Sequence, residues 1–397
     1  MIRKMGNVMG KNRVCLFFDR SYVDAHFCFR EMVKEFVKKG WEVDLYTEFC
    51  HSQTTPCFAS KNVRVFFIQK SKIHVFLLLL RLVFRRRYRL IVATPPWALY
   101  WAVWAGKFRK APVICLSDEI YSWDQILYLS EGRASPSLVK WNKKEKWAHG
   151  RCALTVSLSE SRFQFIKEKN AISDRHPYVV IPNAPAGEGK KLRSSFYRDT
   201  LDIPEHHVIL LHAGSLDWSF TKPLVQAAFG WDYPLSLVFQ VRMRGVDLGM
   251  DIPPNVRFSQ AILPGEMVRY AASSADIGLM LYSRTNFIES VNGATAGKLG
   301  LYLSCGLPII CSNLDSLRWV EEEGCGVWVP DVGMVETAVE KIRASYKMYS
   351  ENAIRVFNKK YEYSRRFEVF FEKLNEIRNG DRDERRQLQG LWKSEAF

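Results

Sequence analysis

The chain has 397 residues, 47% hydrophobic and 25% charged, which excludes a disordered or fibrous protein and exceeds what one ordinary core accommodates. Its net charge of +15 is lopsided: residues 1–190 carry 32 Lys and Arg against 16 Asp and Glu, and the remainder carries 25 against 26. An excess confined to the first half points to an anionic partner there, whether nucleic acid, a phospholipid surface or a phosphorylated acceptor.

In chain order, the opening MIRKMGNVMGKNR lacks the apolar core of a signal peptide. RVCLFF (13–18) reads as a buried strand and 24–39 as a helix closed by Gly40. Strands are predicted at 41–47 and 62–68, a helix over 73–87, then strands at 89–94, 111–117 and 152–157. A helix at 159–169 and a strand at 178–183 complete the run. Such alternation predicts a parallel sheet covered on both faces by helices. APAGEGKKLRSS (184–195) reads as a linker, after which strands recur at 207–214, 235–241, 255–260, 275–282, 307–312 and 325–330. The expected architecture is α/β, with two Rossmann-like domains (1–186 and 187–345) facing across a cleft. Ligands should then lie at the carboxyl ends of the strands. Residues 346–378 are helical in pattern, and 379–397 read as a flexible tail.

Nine cysteines, scattered without zinc-site spacing, read as thiols in a reducing compartment. The most apolar stretch, IHVFLLLLRLVF (73–84), has twelve residues and carries Arg81, short of the roughly 20 needed to span a bilayer. Across 70–89, bulky apolar residues alternate with cations, and Arg81, Arg85 and Arg89 would share a helical stripe. One reading is a buried crossover helix with a solvated basic end. The other sets Arg81, Arg85, Arg86 and Arg87 on anionic lipid headgroups, each contributing ~1 kcal/mol.

Three further stretches carry chemistry. NGATAGKLGLYLSCGLPIICSN (292–313) places Lys298 at the mouth of an apolar helix, either as a solvated first-turn residue or as an anion ligand. LSDEIYSW (116–123) sets Asp118 and Glu119 after a strand, where they suit a base or an acceptor-hydroxyl ligand, and Asp118 equally suits a helix cap. Asp19, Arg20 and His26 follow the first strand and are expected on the acceptor side.

Taken in order, ALTVSLSES…YVVIPNAP, ILLHAGSLDW, NVRFSQAILPGEMVRYAASSADIGLMLYS and GKLGLYLSCGLPIICSNLDSLRWVEEEGCGVWV make the chain resemble the GT-B glycosyltransferases. Over roughly residues 13–375 it looks like the family 4-like sugar transferases of bacterial surface-polysaccharide synthesis. The resemblance implies a second domain that binds a nucleotide diphosphate sugar, most readily a UDP-sugar, and C-terminal helices that return to the first domain. Residues 292–298, with Gly293, Ala294, Thr295, Gly297 and Lys298, would hold the diphosphate through helix-terminal amides and a point charge. Gly214 and Ser215 would lie near the sugar phosphates. Relatives often carry arginine where Ser215 stands, so neutralisation would fall to Lys222, Arg244 or, best placed, Arg242.

The chain departs from the family pattern at Leu301 and Gly293, where many members carry a glutamate pair. That leaves ribose recognition unassigned, with Glu289 as a substitute carboxylate, and leaves open whether transfer retains or inverts configuration. An inverting enzyme would use Asp118 as base. In a retaining one the departing phosphate oxygen would take the proton. IVATPPWALYW (91–101) resembles the turn of members that elongate lipid-linked oligosaccharides, so the acceptor is expected to be lipid-linked or polysaccharide. No cofactor, metal or nucleic acid is expected, and the protein would work in the cytoplasm, on the inner face of the cell membrane. The alternatives are a GT-B-fold nucleotide-sugar epimerase and a non-catalytic binding protein of the same fold.

Overall fold

The computed structural model describes residues 12–377 apart from 51–54, 86, 121–135, 217–218, 243–244, 264, 266, 285–289 and 291–292. The first sheet contains β1 (Arg13–Ser21), β2 (Glu42–Phe49), β3 (Val63–Phe67), β4 (Leu90–Ala93), β5 (Val113–Ser117), β6 (Leu154–Ser157) and β7 (Tyr178–Val180). Their spatial order is β3-β2-β1-β4-β5-β6-β7. The second contains β8 (Val208–Ala213), β9 (Leu235–Gln240), β10 (Val256–Ser259), β11 (Ile277–Met280), β12 (Ile309–Ser312) and β13 (Gly326–Val329), in the order β10-β9-β8-β11-β12-β13. Every strand pairing in both sheets is parallel. Parallel strands need cover on both faces, and the near-continuous apolar runs supply it: all four residues of β4, β11 and β12 are buried. The expected pair of Rossmann-like domains is what the chain forms.

Strand order reverses between β1 and β4 in one sheet and between β8 and β11 in the other. A crevice opens at each such switch point. Two helices absent from the sequence reading, Trp97–Arg109 and Pro136–His149, flank the first crevice. They pack through aromatic contacts, Tyr100 on Trp141 and Trp104 on Trp147. The helix over 363–377 crosses back to the first domain, where Tyr363, Phe367, Phe370 and Leu374 join a core containing Phe36 and Trp41. Tyr363 donates to the carbonyl of Cys28 (3.1 Å), and Lys39 pairs with Glu368 (2.7 Å).

The helix Gly297–Ser304 packs directly on the segment after β7. A Cβ at Gly300 would stand 2.5 Å from the Ala184 Cβ, so only glycine allows this approach. Asn183 accepts from the amide of Cys28 (3.1 Å) at the start of the helix Phe27–Lys38, and Phe27 itself lies in the second domain's core. The two domains are thus pinned together beside the cleft. None of the nine cysteines forms a disulfide, and eight are buried.

Candidate functional site

At the first switch point, strand ends and the segments after them bring five charged groups together. Arg20 donates to both oxygens of Asp118, Nε to Oδ2 at 2.8 Å and Nη2 to Oδ1 at 3.2 Å. It also donates to Asp19 Oδ1 (3.1 Å) and to the carbonyl of Pro95 (2.9 Å). Thr94, just past β4, donates to Asp19 Oδ1 (2.9 Å), while Lys70 lies 3.4 Å from Asp19 Oδ2 and 2.7 Å from Glu48. Burial pushes the Asp19 carboxyl up to about 6, against the pull of Arg20, Lys70 and Thr94. Asp19, Arg20, Glu48, Lys70, Trp97 and Trp141 line a cavity of about 460 Å³. Asn142 also lines it, with both amide atoms shielded from solvent and without a hydrogen-bond partner.

The second switch point is built from backbone, one lysine and one histidine. Gly214, after β8, has a φ of +133° and open space where a Cβ would point, so its backbone is accessible. Tyr302 fixes this turn by donating to the carbonyl of Leu211 (2.9 Å) and accepting from the amide of Ala213 (2.8 Å). Lys298 is buried, 8% exposed, in the first turn of its helix. Its ammonium lies 3.4 Å from His212 Nε2 and 4.9 Å from the centre of the Tyr282 ring. Burial, then the neighbouring Lys298 charge, holds the His212 imidazole well below its ordinary pKa, so it is neutral. His212 Nε2 lies 3.1 Å from the Ser215 carbonyl as well, and so it either donates there or accepts from Lys298.

Two guanidinium groups connect the two halves. Arg162, on the helix Glu160–Asn170 of the first domain, is 2% exposed. It donates to Thr295 Oγ1 (3.0 Å) in the turn before Lys298 and to the carbonyl of Asp118 (2.6 Å). Arg242 also crosses the cleft, donating to the carbonyl of Ala25 (3.1 Å) beside His26, which is exposed.

Several expectations gain a different physical content. Gly297 faces Asn183 and Phe27 and Gly293 is buried against Leu314 and Tyr282, so both serve packing in this conformation. Ala294 is half-buried beside them, and Thr295 is buried with its hydroxyl on Arg162. Leu301 lies in the second domain's core. Glu119, Ser215 and Lys222 are exposed, whereas Arg244 and Glu289 lie outside the described residues. The proposed stripe of Arg81, Arg85 and Arg89 needs correction. The helix Lys72–Leu80 passes into a π-helical turn, Arg81–Arg85, and Arg89 belongs to the bend before β4, its amide bound to the Arg13 carbonyl (2.9 Å). Arg81 and Arg87 are exposed; the side chain of Arg85 and all of Arg86 lie outside the described residues, as does 379–397.

The sequence reading missed Arg162, His212, Lys70 and Asn142 as site residues. His212 had a signal, a polar residue interrupting the apolar run VILLHAG. Arg162 and Asn142 had none, because each sits on a polar helix among other charged residues.

Comparison with known proteins agrees with this geometry. A model of Glycosyltransferase Family 4 matches residues 27–184, and one of the glucosyltransferase 3-like C-terminal domain matches residues 226–362. Sucrose-phosphate synthase from Thermosynechococcus elongatus superposes with a TM-score of 0.63 at 16% identity, covering 93% of this chain and 100% of its own. Anabaena HepE, solved with UDP-glucose, gives 0.68 at 12% identity, covering 91% of this chain and 99% of its own. A UDP-N-acetylglucosamine 2-epimerase gives 0.53 at 10% identity, covering 86% and 91%. Identities this low speak for the fold alone. No curated protein matches the sequence. With a glycosyltransferase family model matching in each domain and the fold shared over nine-tenths of its length, the chain is a glycosyltransferase of the GT-B fold.

Proposed function

We propose that the protein moves a sugar from a nucleotide diphosphate sugar, a UDP-sugar first among these, to a lipid-linked or polysaccharide acceptor in bacterial surface-glycan synthesis, on the inner face of the cell membrane. The observation that carries the reading is Lys298, a buried cation at a helix start, tied through Thr295 and Arg162 to Asp118 in the opposite domain. A buried ammonium whose neighbours include a neutral imidazole and an aromatic face is suited to an incoming anion. The amides of the helix start at Gly297 and Lys298 add to that field, and the open backbone at Gly214 leaves room for the diphosphate. The UDP-glucose of the HepE structure supports the choice of nucleotide.

On the acceptor side, the cavity beside Asp19 combines indole faces, carboxylates and the unpaired Asn142 amide. A buried amide without partners costs about 1–3 kcal/mol, which sugar hydroxyls would offset. Asp118 keeps one lone-pair site on each oxygen beyond those Arg20 occupies and would orient the acceptor hydroxyl; Glu119 stands at the exposed rim. Lys298, Arg162 and helix amides would stabilise the departing diphosphate in place of a metal. In the inverting case Asp118 takes the hydroxyl proton; in the retaining case the phosphate oxygen does.

The test is nucleotide release from a panel of UDP-, GDP- and dTDP-sugars, with and without membrane extract. The expected result is release with one donor that rises on adding extract. Interconversion of the donor sugar without any acceptor would favour an epimerase. Failure to bind any nucleotide diphosphate would remove the reading altogether.

A further inference from the structure

A band of bare apolar side chains runs along the helix Lys72–Leu80 and its extension Arg81–Arg85. Ile73, Phe76, Leu77, Leu80 and Phe84 are 72%, 60%, 49%, 37% and 74% exposed. Their spacing places them on one face. The helix is anchored by the opposite face, where Leu78 and Leu82 are buried in a core with Tyr46 and Trp97. A crossover helix normally turns a polar face to solvent. This one is apolar on both sides.

The charge around the band has a single sign. Residues 49–117 contain twelve Lys and Arg and not one Asp or Glu. Lys70, Arg81, Arg87 and Arg89 flank the band and are exposed. A contiguous apolar patch rimmed by cations fits an amphipathic element lying in the plane of an anionic bilayer. No helix among the described residues is long and apolar enough to cross a membrane, so the element would lie on the bilayer rather than span it. A second copy of this chain fits poorly, because pairing through this face would bring two basic rims together.

We propose that this face docks on a bilayer of anionic lipid, with Ile73, Phe76, Leu77, Leu80 and Phe84 entering the headgroup–acyl boundary and Arg81 and Arg87 meeting lipid phosphates. The docking deepens the membrane-acceptor reading given above and adds an orientation to it. Lys70 lies two residues before the helix and lines the cavity with Asp19 and Trp97. Docked in this way, the protein holds the mouth of that cavity against the lipid surface, and an acceptor anchored in the bilayer reaches it without leaving.

The full chain is cosedimented with vesicles of phosphatidylcholine alone and of phosphatidylcholine mixed with phosphatidylglycerol. Binding is expected to the mixed vesicles only and to fall steeply with salt. Arg81→Gln and Arg87→Gln should each weaken it about fivefold. The triple variant Ile73→Gln, Phe76→Gln, Phe84→Gln should abolish it with the thermal melt unchanged, since all three side chains are exposed. Independently of any variant, anionic vesicles should slow amide exchange over 72–85 in the wild-type chain. Binding that survives both sets of substitutions, or no slowing over 72–85, overturns the proposal. So does a soluble dimer that the triple variant splits, which would assign the face to a second copy. Vesicle binding intact in a protein that releases no nucleotide would sink the transferase reading and leave this one standing.

Discussion

The two switch points of this molecule solve the same topological problem with opposite chemistry. At the first, between β1 and β4, Arg20, Asp19, Asp118, Lys70 and Glu48 neutralise one another through side chains. At the second, between β8 and β11, the polar groups are helix amides, the exposed Gly214 backbone, and Lys298 beside the uncharged His212. A balanced cluster of ionisable groups can orient and exchange protons with a neutral hydroxyl. A cationic, backbone-lined pocket suits a diphosphate whose charge does not change during binding. Reaction partners of different charge can therefore be told apart before they meet, and Arg162 ties the two sites at a fixed separation.

The most forceful way to break this division is Asp118→Asn. Shape is kept, but Arg20 loses one of its charged partners and keeps Asp19, and the acceptor hydroxyl loses its carboxylate. The expected outcome is a 10²- to 10⁴-fold lower kcat with donor affinity intact. Because the pair with Arg20 is largely buried, rates should be read well below the variant's melting temperature. Early melting with both properties lost together would reduce Asp118 to an anchor for Arg20.

Asp19 sharpens the comparison through pH. Its folded value of about 6 lies above its ordinary 3.8 because burial outweighs its cationic neighbours. Between those values the native state binds more protons than the unfolded one, so this group's contribution is favourable below pH 4 and is lost as pH rises through 6. At 1.36 kcal/mol per unit the span is about 3 kcal/mol. Asp19→Asn should remove that slope, so the stability of the variant relative to wild type should climb between pH 4 and 7. Equal pH dependence in the two proteins, from denaturant melts, would mean Asp19 is not the buried acid described.

The complementary break is Lys298→Ala at the second switch point. A lost charge-assisted contact is worth roughly 1.5–3 kcal/mol, so nucleotide diphosphate should bind about ten- to a hundredfold more weakly by titration calorimetry. Neutral His212 and the helix amides remain, which is why binding should weaken rather than vanish. Unchanged affinity in a folded variant would make Lys298 a structural lysine.

The same contrast explains what the sequence could disclose. All thirteen strands among the described residues were legible, most of them because doubly covered parallel strands are near-continuous apolar runs. Trp97–Arg109 was not, since WALYWAVWAGKFR is apolar all round: its aromatic residues share one face, Ala, Leu and Val fill the others, and no polar face marks the helical period. Lys298 was legible because a helix start, its glycines and its charge are adjacent in sequence. The first site was only half legible: Asp19, Arg20 and Asp118 each stood at a strand end, yet the salt bridge spanning 98 residues was not foreseeable. Arg162 reaches Thr295 across 133 residues. The first contact depends on which strands become neighbours within one sheet and the second on how the domains close, and no local pattern encodes either.

The mildest test addresses the closure itself. Gly300→Ala adds one methyl at the joint, where its Cβ would meet the Ala184 Cβ at 2.5 Å, the Ala184 Cα at 2.8 Å and the Asn183 carbonyl at 3.0 Å. Two of those atoms are backbone, so the helix Gly297–Ser304 must shift. Overpacking of this kind costs typically 1–3 kcal/mol, and the better helix propensity of alanine returns up to about 1 kcal/mol. A net loss of about 1–2 kcal/mol in denaturant melts is expected. The shift also carries Lys298 away from His212 and Thr295 away from Arg162, so donor affinity should fall, though by less than in Lys298→Ala. A variant that is as stable as wild type and binds donor equally well would show that the domains do not close through this contact. A variant that loses stability but keeps donor affinity would separate the joint from the donor pocket, and Arg162 would no longer be needed to hold the two sites in register.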